Sequence, residues 1–386
     1  MNGIVKNKKL PRFDSLDIYR GYLIIHMMLY HYLDWIYYPL KDNLLILILS
    51  LISIQMGIYP IYGWICIKEN IFGKLSNMFA YLGTLPFMII VGISLVLSVE
   101  IRKERGQTDE RIKEHMIKRF LWINLFNLLL AQIILGPGTL FMIGALSIIA
   151  FNLLLGYFLM HFSKLIKGII AVLAYIFTPF IKQLLNIPEI GYYINPDGIL
   201  GGILTITINL LIQYLPAISF TLFGILLGEF LVEYYRREKL NNFVYLLLAC
   251  GVFFFIIAYS VDPYREIFGL WHILEPLKDY TLLYSAAVWC FAYCILFWLM
   301  EIKKMKLRAL QIFKLGGRVT LTLFILHHFI GLNFIMYPNY PFNNDLHPFS
   351  FFEIWFGMYL LIWIALSLWS RVKYKYSLEW IIQKYS

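Results

Sequence analysis

The sequence predicts an all-α membrane protein, a polytopic bundle of about ten spanning helices with one or two re-entrant or partial segments. Three observations predict it. Of 386 residues, 60% are hydrophobic and only 15% charged, too apolar for a soluble domain of this length. The apolar residues come in runs of about 20, the length needed to cross about 30 Å of hydrocarbon. Lys and Arg gather in the short loops between those runs, where they set orientation.

Spanning runs fall near 17–38, 78–99, 118–135, 139–161, 164–185, 214–234, 243–260, 280–300, 319–337 and 351–370. The basic N-terminus (Lys6, Lys8, Lys9, Arg12) and the loop 101–119 both belong on the cytoplasmic side. An even number of crossings must separate them. The apolar segment 44–67 therefore enters the membrane and returns, with Gly57 and Pro60 as breakpoints. The segment 198–212 reads as a half-helix or surface helix. The basic stretches 234–239, 301–308 and 371–376 are cytoplasmic, which puts both termini on the cytoplasmic side of the cell membrane. No cleavable signal is expected, because the first apolar run starts late and is too long. Residues 1–386 read as one membrane domain.

The net charge of +10 does not point to nucleic acid, because no folded basic domain carries it. The cysteines Cys66, Cys250, Cys290 and Cys294 all sit in apolar runs and read as packing residues. No metal site is expected: Cys290 and Cys294 lack histidine or acid partners.

The first spanning run, DIYRGYLIIHMMLYHYLD (17–34), is unusually polar. Arg20 and His31 are eleven residues apart, three turns plus roughly 20°, so they share a face about 16 Å apart along the axis. Asp17 lies one turn before Arg20, and Asp34 one turn after His31. His26 lies well round the helix. Charge at membrane depth costs about 2.5–3.5 kcal/mol per group. Two readings stand open: an interfacial anchor plus an interhelical hydrogen bond, or a lined cavity with a cation at one end and a base or nucleophile at the other.

Other polar groups are sparser. NPDGILG (195–201) offers Asn195 and Asp197 at a helix start, either as a cap or near a reacting group. Asp262, His272 and Glu275 form an outer loop that could shape an acceptor site or simply be solvated. His327 and His328 are adjacent on a late helix, so at most one faces a given cavity. Asn124 and Asn127 read as interhelical hydrogen-bonders. Glu229 and Glu233 read as solvated or paired with Arg236 and Arg237.

RFDSLDIYRGYLIIHMMLYHY (12–32) resembles the opening of the transmembrane acyltransferase superfamily. The SLDxxRG lead-in is similar to the heparan-alpha-glucosaminide N-acetyltransferase branch, and the arginine-ten-histidine spacing to the acyltransferase-3 branch. LPFMIIVGISLVLS (85–98), GTLFMIGALSIIAF (138–151), NPDGILGGI (195–203) and GGRVTLTLFILHHFIG (316–331) resemble further family segments in order. Two features depart from the pattern. No histidine or Trp-Asn-Gly lies between His31 and Pro86, and ALSIIAF lacks the family's Gln-Arg pair.

The resemblance implies a membrane O- or N-acyltransferase that takes acetyl-CoA or another acyl-CoA as co-substrate. The acceptor would be a carbohydrate or glycolipid hydroxyl or amine at the outer face, with membrane lipid as surroundings. It implies His31 as general base or acyl carrier, Asp34 orienting its ring, and Asp197 near the acyl group. His328 is the competing histidine. Arg20, beside Asp17, would hold a pantetheine or phosphate oxygen. A homodimer is compatible with this reading. The rival class is a transporter or flippase of a lipid-linked or anionic solute, which also uses midplane charges and broken helices.

Overall fold

The computed structural model describes residues 9–37, 84–135, 145–184, 198–261, 280–334 and 348–385, and within them every regular element is helical. The helices are α1 (Asp14–Tyr37), α2 (Thr84–Glu104), α3 (Asp109–Leu135), α4 (Ala145–Leu159), α5 (Lys164–Leu184), α6 (Gly198–Arg236) and α7 (Leu240–Val261). They continue with α8 (Tyr280–Phe297), α9 (Gln311–Gly316), α10 (Thr320–Phe334), α11 (Pro348–Arg371) and α12 (Leu378–Tyr385). The described part of each of the ten apolar runs contains a helix. The segment 44–67, Asn195 and Asp197, the loop with Asp262, His272 and Glu275, and Cys66 lie outside the described residues.

Local chemistry explains where helices start and stop. Ser163 accepts the Ile166 N–H ahead of α5, and Ser377 accepts the Trp380 N–H ahead of α12, the usual role of a hydroxyl at a helix N-terminus. After α2 the chain turns at Gly106, whose φ of +76° only glycine adopts freely. There the Gly106 and Gln107 amides close the last turn on the carbonyls of Lys103 and Arg102.

One expectation needs correcting. The segment 198–212 is not a separate half-helix. It continues through Gln213 and Pro216 into the next run, making α6 a single helix of 39 residues. Proline removes one backbone hydrogen bond, but helices in membranes tolerate it where neighbours satisfy the freed carbonyl.

Among the described residues, three helical stretches are long and apolar enough to cross a membrane: Leu215–Arg236, Leu240–Ser260 and Leu283–Ile302. A fourth is a broken pair, Arg308–Gly316 and Thr320–His327, bent by 78°. Exposed apolar faces fit the same environment. On α5, Leu165, Ile169, Val172 and Phe177 point outward; on α7, Leu248, Val252, Phe253 and Ile256 do. Water would not tolerate such continuous apolar stripes, whereas lipid does. The chain is a membrane protein whose regular elements, among the described residues, are all helices.

The chain divides into two compact units. The first comprises 1–12, 85–283 and 385–386; the second comprises 13–84 and 284–384. In the first, α6 is the central helix and packs against α4, α5 and α7. It also crosses α2 closely, since a Cβ on Gly92 would meet the Thr221 carbonyl and one on Gly224 the Ile89 carbonyl. Small residues allow backbones to approach this way in membranes. Ser147 on α4 donates to Asn124 Oδ1 on α3 at 2.8 Å, the interhelical bond anticipated for that asparagine.

In the second unit, α1 packs on α9, α10 and α11. Its core joins Ile18, Ile24, Ile25 and Met28 to Phe313, Leu315, Val319 and Leu323. The seat is tight at two glycines: a Cβ on Gly21 would strike the Phe313 carbonyl, and one on Gly317 the Asp17 carbonyl. Gly21→Ala should therefore lift α1 off α9, because a backbone oxygen cannot rotate aside. Overpacking of this kind costs about 1–3 kcal/mol, visible as a lower melting temperature in detergent. An unchanged melting temperature would show that the contact is compliant.

The C-terminal helix α12 was not anticipated. Its Glu379 caps α10 from a distance, accepting the Leu321 and Thr322 amides at 2.5 and 3.3 Å and the Thr322 hydroxyl at 2.6 Å. Burial pushes this carboxyl up, and those hydrogen bonds oppose the shift.

Candidate functional site

Among the described side chains of α1, the charged ones gather at its first two turns. Glu301 sits in a five-residue π-turn, Trp298–Ile302, at the end of α8. Its Oε1 accepts the Ser15 N–H at 3.0 Å, so a buried carboxylate faces the positive end of α1. Lys314 on α9 donates to Asp14 at 2.5 Å. Asp17 is 1% exposed and pairs with Arg20 one turn later. That ion pair is local, i to i+3, and it occupies only the Nη2 end of the guanidinium.

Aromatic rings wall this group. Tyr19 meets Trp289 and Tyr293 edge-on at 6.1 and 5.8 Å, and Trp289 stacks on Tyr293 at 5.1 Å. Both α8 rings are fully buried. The Tyr293 hydroxyl lies next to that of Ser15 and in the field of Arg20, Asp17 and Glu301. The Ser15 and Tyr293 hydroxyls are close enough to serve each other, whereas Arg20 Nε and Trp289 Nε1 find no hydrogen-bond partner. A buried donor left unmade costs about 1–3 kcal/mol.

The other expected site residues fall as follows. α1 runs unbroken from Asp14 to Tyr37, so the helical spacing from Arg20 to His31 and Asp34 holds for the backbone. The side chains of His31, Asp34 and His328 lie outside the described residues, as does Asp197. His327 is fully buried and its Nδ1 lies 3.4 Å from the Leu323 carbonyl, the packed-histidine reading. Cys290 and Cys294 are buried thiols outside any disulfide.

The first unit holds a cavity of about 420 Å³ lined by Glu100, Lys103, Tyr157, His161, Glu229 and Arg236 among others. Its charges are paired. Arg236 bridges Glu100 and Glu104 at 2.9 and 3.2 Å, and Glu233 holds Lys164 and Arg237 at 2.7 and 3.0 Å. The expected Glu233–Arg237 pair is present. Glu229 differs from expectation: its partner is Lys167, 1% exposed, which also donates to the Met160 carbonyl at 3.2 Å. Sequence reading missed Lys167, Ser15, Trp289, Tyr293 and Glu301. The lysine had a legible signal, a charge inside the apolar run of α5; the α8 aromatics had none.

No curated protein matches the chain. The match to a known family spans residues 57–257, from the apolar segment before α2 to the last turns of α7. That stretch is just over half of the chain and leaves α1 and α10 outside it. The matched family is described as heparan-alpha-glucosaminide N-acetyltransferase, catalytic, and the chain belongs to it.

Proposed function

We propose that the protein transfers an acyl group, acetyl in the simplest case, from cytoplasmic acyl-CoA to a hydroxyl or amine of a carbohydrate-like acceptor at the outer face of the cell membrane. About ten helices cross, with both termini and the loop 101–119 on the cytoplasmic side, as the Lys/Arg distribution supports. Family membership supports the transferase chemistry. The observation that carries the reading is α1: one unbroken helix bears the Asp17–Arg20 pair near its start and His31 eleven residues on.

In this mechanism Arg20, steered by Asp17, binds the donor. His31 takes the proton from the acceptor as general base, or carries the acyl group on its ring. Asp34 fixes the ring's tautomer, Asp197 lies near the acyl group, and His328 is the alternative base.

The test is acetyl-CoA binding to the purified protein together with transfer of labelled acetyl to amino sugars. A folded protein that binds no acetyl-CoA would overturn the reading. Arg20→Lys is the informative variant, because it keeps a charge for Asp17 and loses the guanidinium fork. It should weaken acetyl-CoA binding by about 10-fold, on the scale of one charge-assisted hydrogen bond. Unchanged affinity would reduce Arg20 to an anchor.

A further inference from the structure

We propose that two acid-free basic turns of the second unit, 302–308 and 371–378, form a docking surface for the headgroups of anionic phospholipids of the inner leaflet. The inference goes beyond the transfer chemistry proposed above and takes from it only which leaflet the turns face.

Three observations carry it. First, the cations of these turns are unspent. Lys303, Lys304, Lys306 and Arg308 are exposed in the first, and Arg371, Lys373 and Lys375 in the second. Neither stretch contains an aspartate or glutamate. Among the described residues their one ion pair joins Lys304 to Glu301, at 3.8 Å. Other basic loops differ, because their charges are answered within the protein. In 101–119, Lys103 faces Asp109 at 3.7 Å and Lys118 faces Glu114 at 2.8 Å; in 234–239, Arg236 and Arg237 hold Glu100 and Glu233. Secondly, both turns are rooted on one core. Met300 and Leu310 flank the first turn and Tyr374 lies in the second, and all three pack against the cluster that contains Ile312 and Phe313. The second turn has a fixed shape. The Trp369 indole donates to the Lys375 carbonyl at 2.8 Å, and Lys373, Tyr374 and Tyr376 have φ of +54°, +54° and +66°, a region that residues with a Cβ rarely enter. Thirdly, apolar groups alternate with the charges. Met305, Val372 and Tyr376 are exposed beside them, and Lys303 lies over the Trp298 ring at 5.0 Å. Each turn begins where an apolar helix ends, at Ile302 and at Arg371, which is the depth of the headgroups. Lysines interleaved with apolar and aromatic groups suit the boundary of hydrocarbon and phosphate. A soluble nucleotide or an acidic protein would leave those apolar groups in water.

The surface works by charge. A Lys or Arg near an anionic leaflet is worth about fivefold in binding. Phosphates held by both turns would brace the chain at the start of α9, the helix on which α1 sits.

The experiment titrates the purified full chain with phosphatidylglycerol and, separately, with phosphatidylcholine, and reads bound lipid by native mass spectrometry. Wild type should prefer phosphatidylglycerol, and added salt should shrink the preference, since screening acts on charges. Lys306→Gln combined with Lys373→Gln removes one charge from each turn. It should weaken phosphatidylglycerol about 20-fold and leave phosphatidylcholine unchanged. Arg111→Gln combined with Lys113→Gln removes the same charge from 101–119 and should leave both lipids as in wild type. A wild type without preference for phosphatidylglycerol overturns the surface, as does a Lys306→Gln, Lys373→Gln protein that binds it as tightly as wild type. An equal loss in the Arg111→Gln, Lys113→Gln protein would reduce the effect to net charge and overturn the assignment to these turns. Displacement of the lipid by adenosine 3′,5′-bisphosphate would make the turns a nucleotide site and overturn the lipid.

Discussion

Acyl transfer is expected to fall by about 10²–10⁴ in His31→Ala while acetyl-CoA binding persists, because a positioned general base contributes about that factor. The premise is the unbroken α1, which holds His31 about 16 Å along the axis from Arg20. Asp34→Asn should cost less, since it alters only the orientation of the ring. His328→Ala is the control, on a different helix, α10. The measurement is transfer from labelled acetyl-CoA, with the amount of folded protein matched between variants. Activity retained in His31→Ala and lost in His328→Ala would move the reaction to α10.

The second large effect concerns stability. Lys167→Met should cost about 3–5 kcal/mol, because it strands the Glu229 carboxylate among apolar helices. Lys167 is 1% exposed, and Glu229, which lines the cavity, has one carboxylate oxygen without a hydrogen-bond partner. Adding Glu229→Gln should restore most of the loss, since the remaining amide carries no charge. Thermal unfolding in detergent of both variants decides it. A single variant as stable as wild type would mean that water reaches the pair from the adjoining cavity.

Much of the fold was legible because the bilayer imposes a strong constraint on sequence: every spanning element must be about 20 apolar residues of helix. In the described residues a helix stands in each of the ten such runs. The split at Gln213 was drawn from the topology that the Lys and Arg loops impose, and failed because a helix can outrun the hydrocarbon. The candidate site was legible only along α1, where helical spacing places Asp17 against Arg20. Contacts that link distant positions were not. Nothing near Trp289 or Tyr293 marks them among 28 tyrosines and 10 tryptophans. The Lys167–Glu229 pair joins residues 62 apart, which no local period encodes. Helix α12 was overlooked because eight residues are too few for the apolar pattern that finds a span.

The polar start of α1 also has a timetable. Ser15 waits for Glu301, 286 residues later, and Asp14 for Lys314, 300 residues later. Ribosomes add about 5–20 residues per second, so the first helix made spends roughly 15–60 s in the membrane before the chain that completes it exists. Through that interval Ser15 lacks the acceptor for its amide, and Asp14 lacks its lysine. The polar start of the first helix is thus made long before the residues that complete it.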